Sequence, residues 1–400
     1  MSGPLEGIKV IEMGVWVAGP AAAGVLADWG ADVIKIEPPD GDPMRGMFLS
    51  AVGADVPINP PFELDNRGKR SIAIDLRSEQ GKLLARRLLD EADVFVTNLR
   101  YAALERMGFG YEDLRVSNRR LVYCNISGYG TAGEERDRAA YDVGAFWSRA
   151  GIALSLVPPG SDPPQQRGGM GDHATGITGA GAVCAALVAR ARTGQGQFVS
   201  TSLLRTGMYI LGWDTSIRLR FGFIDPPYDR HHAPNPLINC YRAADDRWFW
   251  LLGLQGDRHW PDLLRAIERP ELRDDPRFAD IKKRRENCAA CVRVLDETFA
   301  TRSRAEWGDA LDLANMWWAP VQTVNESVDD PQARAAGAFV PVGGGGERVE
   351  MLASPADFSG TPWQPRSLPP ECGQHTEEIL LELGIDWEEI GALKEKGVIP

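Results

Sequence analysis

Histidine and cysteine are scarce in this chain, five and six among 400 residues. The histidines are His173, His231, His232, His259 and His375, and no two sit four apart on a helix with a glutamate between them. That excludes the zinc-hydrolase helix, and the absence of G-x-S-x-G excludes the serine nucleophile elbow. The cysteines, Cys124, Cys184, Cys240, Cys288, Cys291 and Cys372, are scattered, as in a reduced cytosolic protein. Cys288 and Cys291 form one C-x-x-C inside a helical pattern, with no second pair, so they are expected to be structural and no metal site is expected. Basic residues are also in deficit. Lys and Arg number 44 against 56 acids, a net charge of -12, which argues against nucleic acid as a partner but not against an anionic ligand met by a few local cations. The sequence has no apolar run of 18 residues and no basic leader followed by an apolar stretch. Neither a membrane span nor a secretory signal is therefore expected, and the expected location is cytoplasmic.

What the chain does contain is an alternation of short Val/Ile runs and helical patterns. "IKVIEM", "ADVIKIE", "RSIAIDL", "DVFVTNL" and "RLVYCNIS" predict strands, with helices such as "AGPAAAGVLADWG" (closed by Gly30) and "SEQGKLLARRLLDEA" (capped by Ser78) between them. This is the pattern of an α/β protein with a parallel, Rossmann-like sheet. A long small-residue helix is expected after residue 173, then the strand "QFVSTSL". The aperiodic, Pro-rich "FGFIDPPYDRHHAPNP" reads as a linker. The expected division is a large domain over 1–225, a smaller α+β domain over 226–330, and a segment 331–400 returning to the large one. Two hairpins are predicted: one turning at Ala244, Asp245 and Asp246, the other at the four-glycine run in "VGGGGERVEML".

Several cations follow predicted strands: Arg45, Lys69, Arg70, Arg100 and Arg106. Open parallel sheets bind ligands at the carboxyl ends of their strands, and arginines repeated there suit phosphates. "GYGTAG" at 128–133 matches G-x-G-x-x-G, but Glu134 and Glu135 follow where a pyrophosphate needs bare N–H groups. It is read as a turn lining a site.

Asp172, in "RGGMGDHATG", stands at the mouth of the small-residue helix. An aspartate there is expected to cap the helix, and N–H donors and the helix dipole would keep it ionised. An ionised carboxylate is also a nucleophile towards an activated acyl group, and Gly168, Gly169 and Gly171 leave room for a bulky substrate. His173 beside it is either a base or a structural histidine.

Over essentially its whole length the chain resembles the family III CoA transferases, the formyl-CoA transferase and carnitine CoA-transferase type. The stretches that carry the likeness include "GIKVIEMGVWVAGPAAAGVLADWGADVIKIEPPDGDPMRG", "NRGKRSIAIDL", "NLRYAALERMGFGYEDL", "LVYCNISGYGTAG", "GDHATG" and "HTEEILLELGIDWEEI". The resemblance implies that Asp172 attacks an acyl-CoA and that an aspartyl-CoA thioester carries CoA to a second carboxylic acid. It implies CoA as substrate and carrier, with no permanently bound cofactor. It places CoA against Trp16, Val17, Arg45, Lys69, Arg70, Asn98, Leu99, Arg100, Arg106 and Met107, with Tyr141 and Asp142 as an aromatic–acid pair near the nucleophile. A basic residue of the family after the second strand is Pro38 here, and the family's glycine-rich lid is reduced to Gly253 and Gly256. It further implies an interlocked homodimer.

The related α-methylacyl-CoA racemases use a histidine where this chain has Tyr141. A phenol, with an ordinary pKa of about 10, is a poor base at neutral pH. Racemisation remains an alternative if His173 takes that part, and a non-catalytic CoA-binding protein is the other. Trp147, Trp213, Trp317 and Trp318 are candidates for either an acyl pocket or the core, and Arg149 for pairing with the far end of a dicarboxylate.

Overall fold

The computed structural model of the chain describes residues 3–47, 58–343 and 348–400. The chain forms two compact units, one of residues Met1–Ala153, Gln165–Ile224 and Gly337–Pro400, the other of Leu154–Pro164 and Asp225–Ala336.

The first unit is built on six parallel strands: β1 (Lys9–Met13), β2 (Asp32–Glu37), β3 (Arg70–Ala73), β4 (Val94–Thr97), β5 (Val122–Ser127) and β6 (Phe198–Ser202). Their order is β3-β2-β1-β4-β5-β6, the doubly wound arrangement in which the direction of winding reverses between β1 and β4. The strands are buried on both faces, which is why they read as continuous Val/Ile runs rather than alternating ones. One face carries Ile11, Ile34, Phe95 and Tyr123 against Leu84, Leu88 and the C-terminal residues Ile379, Ile390 and Ile399. The other carries Val10, Val33, Val94 and Cys124 against the two leanest helices, α1 (Ala18–Asp28) and, later in the chain, Met170–Thr193.

Helix Glu79–Asp90 starts at Ser78, whose hydroxyl accepts the Gly81 N–H at 3.0 Å. Helix α2 spans Pro60–Asn66, and helix α3 is Met170–Thr193. Small residues let α1 and α3 pack backbone to backbone: a Cβ on Gly176 would stand about 3 Å from Ala21 Cβ, Ala18 O and Ala22 N. The glycines and alanines of α3 thus serve a contact within the chain. Among the described helices α3 alone is long and apolar enough to cross a bilayer. Its Gly179, Ala180, Val183 and Ala186 are buried in this unit.

The second unit pairs β7 (Ile238–Arg242), β8 (Trp248–Leu252) and β9 (Trp318–Pro320) antiparallel. The β7–β8 hairpin turns with Asp246 at φ 62°. Its core gathers Tyr241, Phe249, Phe299 and Trp307, with Phe249 and Phe299 edge-to-face at 4.9 Å. Cys288 and Cys291 are buried in this core, and burial pushes the Cys291 thiol up to about 12. All six cysteines are free thiols. Strands Phe339–Val342 and Val349–Leu352 pair antiparallel in the first unit; most of the four-glycine turn between them lies outside the described residues.

Candidate active site

The loop after β1 is fixed from two sides. Asn98, following β4, accepts the Val15 N–H at 2.9 Å and donates to the Val15 carbonyl at 2.7 Å. The Trp16 N–H donates to Asp42 at 3.1 Å, and Trp16 is held at φ 66°, a left-handed conformation that costs a non-glycine residue on the order of 1 kcal/mol. Beneath the loop, the fully buried Lys35 donates to Glu12 (2.8 Å), Asp42 (2.9 Å) and the Gly14 carbonyl (3.0 Å). Lys69, also fully buried, donates to Glu12 (2.6 Å), Asn66 (2.9 Å) and the Pro20 carbonyl (2.9 Å). Burial alone would raise the Glu12 carboxyl, but the two ammonium groups outweigh it and hold it below its ordinary value.

Two cavities open at the carboxyl ends of the strands, sharing Val15 and Leu99. One, about 320 Å³, is the more polar of the two and is lined by Trp16, Arg100, Asn125, Arg138 and Tyr141. Gly128 and Gly130 of "GYGTAG" form part of its wall, in a loop with no helix directly after it. The other, about 360 Å³, is mostly apolar, with Met13, Ile36, Ile74, Leu76 and Met107 in its walls and Pro38 where a cation was expected by resemblance. Asn125, in the first, is wholly buried, and its Oδ1 has no hydrogen-bond partner among the described residues.

Asp172 is the third residue of α3 and does not cap it. The helix opens at Gly169 (φ 79°) with no side-chain cap of its own. The capping carboxylate comes from elsewhere: Asp142 Oδ2 accepts the Gly171 N–H at 2.9 Å, and its Oδ1 accepts Gln166 Nε2 at 2.7 Å. A π-helix, Val143–Arg149, begins right after Asp142. A Cβ on Gly171 would overlap both Asp142 Oδ1 and the Phe146 ring, so glycine is required there. With the cap position taken, Asp172 loses the support expected to keep it fully ionised. Burial first, then the nearby Asp142 charge, push its carboxyl up to about 7, His173 opposing and Asp65 adding to the rise. His173 Nε2 lies 3.0 Å from Asp65 Oδ1, and that bond raises the imidazole's pKa.

The other expected contacts divide into two groups. Trp16 and Tyr141 meet edge-to-face, centroids 6.2 Å apart, and with Asn98, Leu99 and Arg100 they line the more polar cavity. Arg100 is exposed there and makes no ion pair with a described residue. Val17 approaches Gly169: a Cβ at 169 would lie 3.9 Å from Val17 Cγ1. Met107 lies in the apolar cavity, while Arg106, exposed in the last turn of helix Tyr101–Arg106, lines neither.

Three expected contacts are spent inside the protein. Lys69 has all three donors engaged. Arg45 is held bidentate by Glu37 (2.8 and 2.7 Å), donates to the Pro370 carbonyl and stacks on Phe62. Burial would raise Glu37, but Arg45 and Lys35 hold it at about 2. Arg70, at the amino end of β3, is bound by Asp32 and Glu382. Arg149 pairs with Glu135 and lies 4.8 Å over the Tyr129 ring. Trp147 is core; Trp318 packs on the second unit's core and donates to Asp312; Trp213 and Trp317 are exposed. Asp65, Lys35 and Asp42 carry no local sequence signal and emerge only from the geometry.

The α/β protein thus combines a doubly wound sheet, cavities at the carboxyl ends of its strands and a carboxylate of raised pKa at a helix mouth. A family model described as CoA-transferase family III matches residues 5–376. The chain is 33% identical to the (R)-2-hydroxy-4-methylpentanoate CoA-transferase of Clostridioides difficile, covering 99% of each chain. It is 32% identical to the cinnamoyl-CoA:phenyllactate CoA-transferase of Clostridium sporogenes, covering 98% of this chain and 97% of that one. A crystal structure of a CAIB/BAIF family protein from Brucella suis superposes with a TM-score of 0.84 at 32% identity, covering 96% of this chain and 100% of that one. The chain belongs to CoA-transferase family III and is an enzyme of that type, with CoA as substrate or carrier and acyl-CoA and carboxylic acids as its reactants.

Proposed function

We propose that Asp172 is the nucleophile of a CoA transfer between two carboxylic acids. Its carboxylate adds to the thioester carbonyl of an acyl-CoA. The C–S bond breaks, leaving a mixed anhydride and the CoA thiolate. The thiolate then attacks the Asp172 carbonyl, the donor acid leaves as its carboxylate, and an aspartyl-CoA thioester remains. The acceptor carboxylate and the returning thiolate reverse the two steps on a new acyl group. The observation that carries this reading is the Asp172 carboxyl itself: partly buried, uncapped, raised to about 7, at a glycine-lined helix mouth. Perturbed groups in clefts are where reacting residues are found.

In this reading the adenine end of CoA lies in the apolar cavity, beside Met107 and Leu99. Arg100 faces the phosphates, and Trp16, Val17 and Tyr141 lie along the arm that reaches Asp172. Asn98, Arg45 and Lys69 act behind this surface, and Asp142 holds the helix mouth. The acids named for the two similar enzymes, 2-hydroxy-4-methylpentanoate and phenyllactate, both join a 2-hydroxyl to an apolar chain. A 2-hydroxy acid of that kind is the proposed acceptor. A homodimer is proposed from helix Gly212–Phe221, which buries none of its residues and exposes Trp213, Leu219 and Phe221. Six free thiols suit a cytoplasmic location.

The test is mass spectrometry of the intact protein and its peptides after brief mixing with acyl-CoAs, including 2-hydroxyacyl-CoAs. A CoA-sized, hydroxylamine-labile adduct is expected on the peptide holding Asp172 and is expected to be missing from Asp172→Ala. Undiminished transfer by Asp172→Ala would overturn the proposal.

A further inference from the structure

Asp172 faces two carboxylates from other elements, Asp142 beside the π-helix and Asp65 on α2, with His173 next to it on α3. The charges of Asp142 and Asp65 both disfavour ionisation of Asp172. Asp142 brings no cation with it: its two partners are the neutral Gly171 N–H and Gln166 amide. Asp65 is buried, and its Oδ2 has no hydrogen-bond partner among the described residues. Lys69 acts on Asp65 through space but spends its donors on Glu12, Asn66 and Pro20. The direct partner of Asp65 is therefore His173 Nε2, at 3.0 Å.

That contact also sets the ring's orientation. The Cε1–Nδ1 edge lies against Gly169, where a Cβ would stand 3.1 Å from each atom, so a side chain at 169 would press on the ring. The His173 side chain remains 40% exposed, which leaves the ring open to protons from solvent.

We propose that Asp65 and His173 form a positioning pair, in which Asp65 fixes the ring as an imidazolium and that cation favours the anionic, nucleophilic form of Asp172. The proposal rests on Asp172 as nucleophile. Through the cycle the negative charge passes from the Asp172 carboxylate to the thiolate, leaves with the donor acid, re-enters with the acceptor carboxylate and returns to Asp172 by way of the thiolate, so one fixed cation serves each anionic stage at Asp172. His173 is thus assigned to charge balance, with no proton transfer to substrate.

The experiment follows the Asp172 carboxyl by carbon NMR in aspartate-labelled full-length protein, with trapping of the CoA adduct over the same pH range. Wild type is compared with His173→Gln and His173→Lys. In His173→Gln the carboxyl midpoint and the acid limb of adduct formation are both expected to move up by about one pH unit, as loss of a nearby opposite charge dictates. In His173→Lys, which restores a cation beside Asp65, both are expected to return most of the way. An unchanged carboxyl midpoint in His173→Gln overturns the proposal, as does a rate loss equal at every pH that lysine fails to repair. If the midpoint moves but no adduct forms even in wild type, the charge pair stands and the nucleophile assignment is what fails.

Discussion

Two sets of buried charges in the first unit are built on opposite terms. Beneath the β1 loop, Glu12 and Asp42 are matched by Lys35 and Lys69, with each ammonium making three hydrogen bonds. At the mouth of α3, Asp65, Asp142 and Asp172 share a single imidazole. The matched set holds a backbone shape, the left-handed Trp16 included. The unmatched set holds a carboxyl near neutrality, where a small change in surroundings decides its charge. Complete pairing yields rigidity, and deliberate under-pairing yields reactivity.

The largest expected effect breaks the matched set. Lys35→Met strands Asp42 in the interior, leaves Glu12 with Lys69 alone, and should cost about 3–5 kcal/mol in denaturant unfolding. A loss under about 1 kcal/mol would show that the set contributes little to holding the fold.

The unmatched set should respond in the opposite sense. The folded value of Asp172, about 7, lies above its ordinary 3.8, so its ionised form costs stability. That penalty is absent below about pH 4, grows as pH rises towards 7 and is complete above it. Asp172→Asn should therefore gain roughly 1–2 kcal/mol at pH 8, after allowance for solvent screening, and nothing near pH 4. Thermal melts at the two pH values check this, and an equal effect at both would contradict it.

Asp142→Asn keeps an oxygen for the Gly171 N–H and removes the charge, while the Gln166 amide must turn its oxygen towards the new NH2 group. The acid limb of adduct formation should move down by about one pH unit with little change in stability. Trp16→Gly is the mildest change. Glycine tolerates the left-handed turn, so stability should hold within about 0.5 kcal/mol, while loss of the ring beside Tyr141 should raise KM for acyl-CoA a few-fold at constant kcat. A fall in kcat instead would place Trp16 in the chemistry.

The strands, the Ser78 cap and the turn at Asp246 were legible because each is written in neighbouring residues. Asp172 was legible as a position, through resemblance and its glycine surroundings, but its environment was not. The cap comes from Asp142, thirty residues earlier in the chain, and the histidine's partner from Asp65, 108 residues away. Lys69 and Arg70 looked like ligand contacts because a lone cation near a strand gives no sign of the carboxylate that folding will bring to it. Glu12 and Glu382 meet them only across the tertiary structure. Local sequence records which groups are charged, and the fold decides which of them are already spoken for.

The π-helix at Val143–Arg149 makes the site sensitive to chain length as well as to residue identity. Its hydrogen bonds close one residue later than those of an α-helix. Phe146 and Trp147 are anchored in the core, while Asp142 sits at the free end, gripping the Gly171 N–H. Losing a single residue from that turn would swing Asp142 through about 100° relative to those anchors. The carboxylate that caps α3 would then point away from it, with every side chain of the site intact. In this stretch a one-residue deletion is a more drastic event than most substitutions.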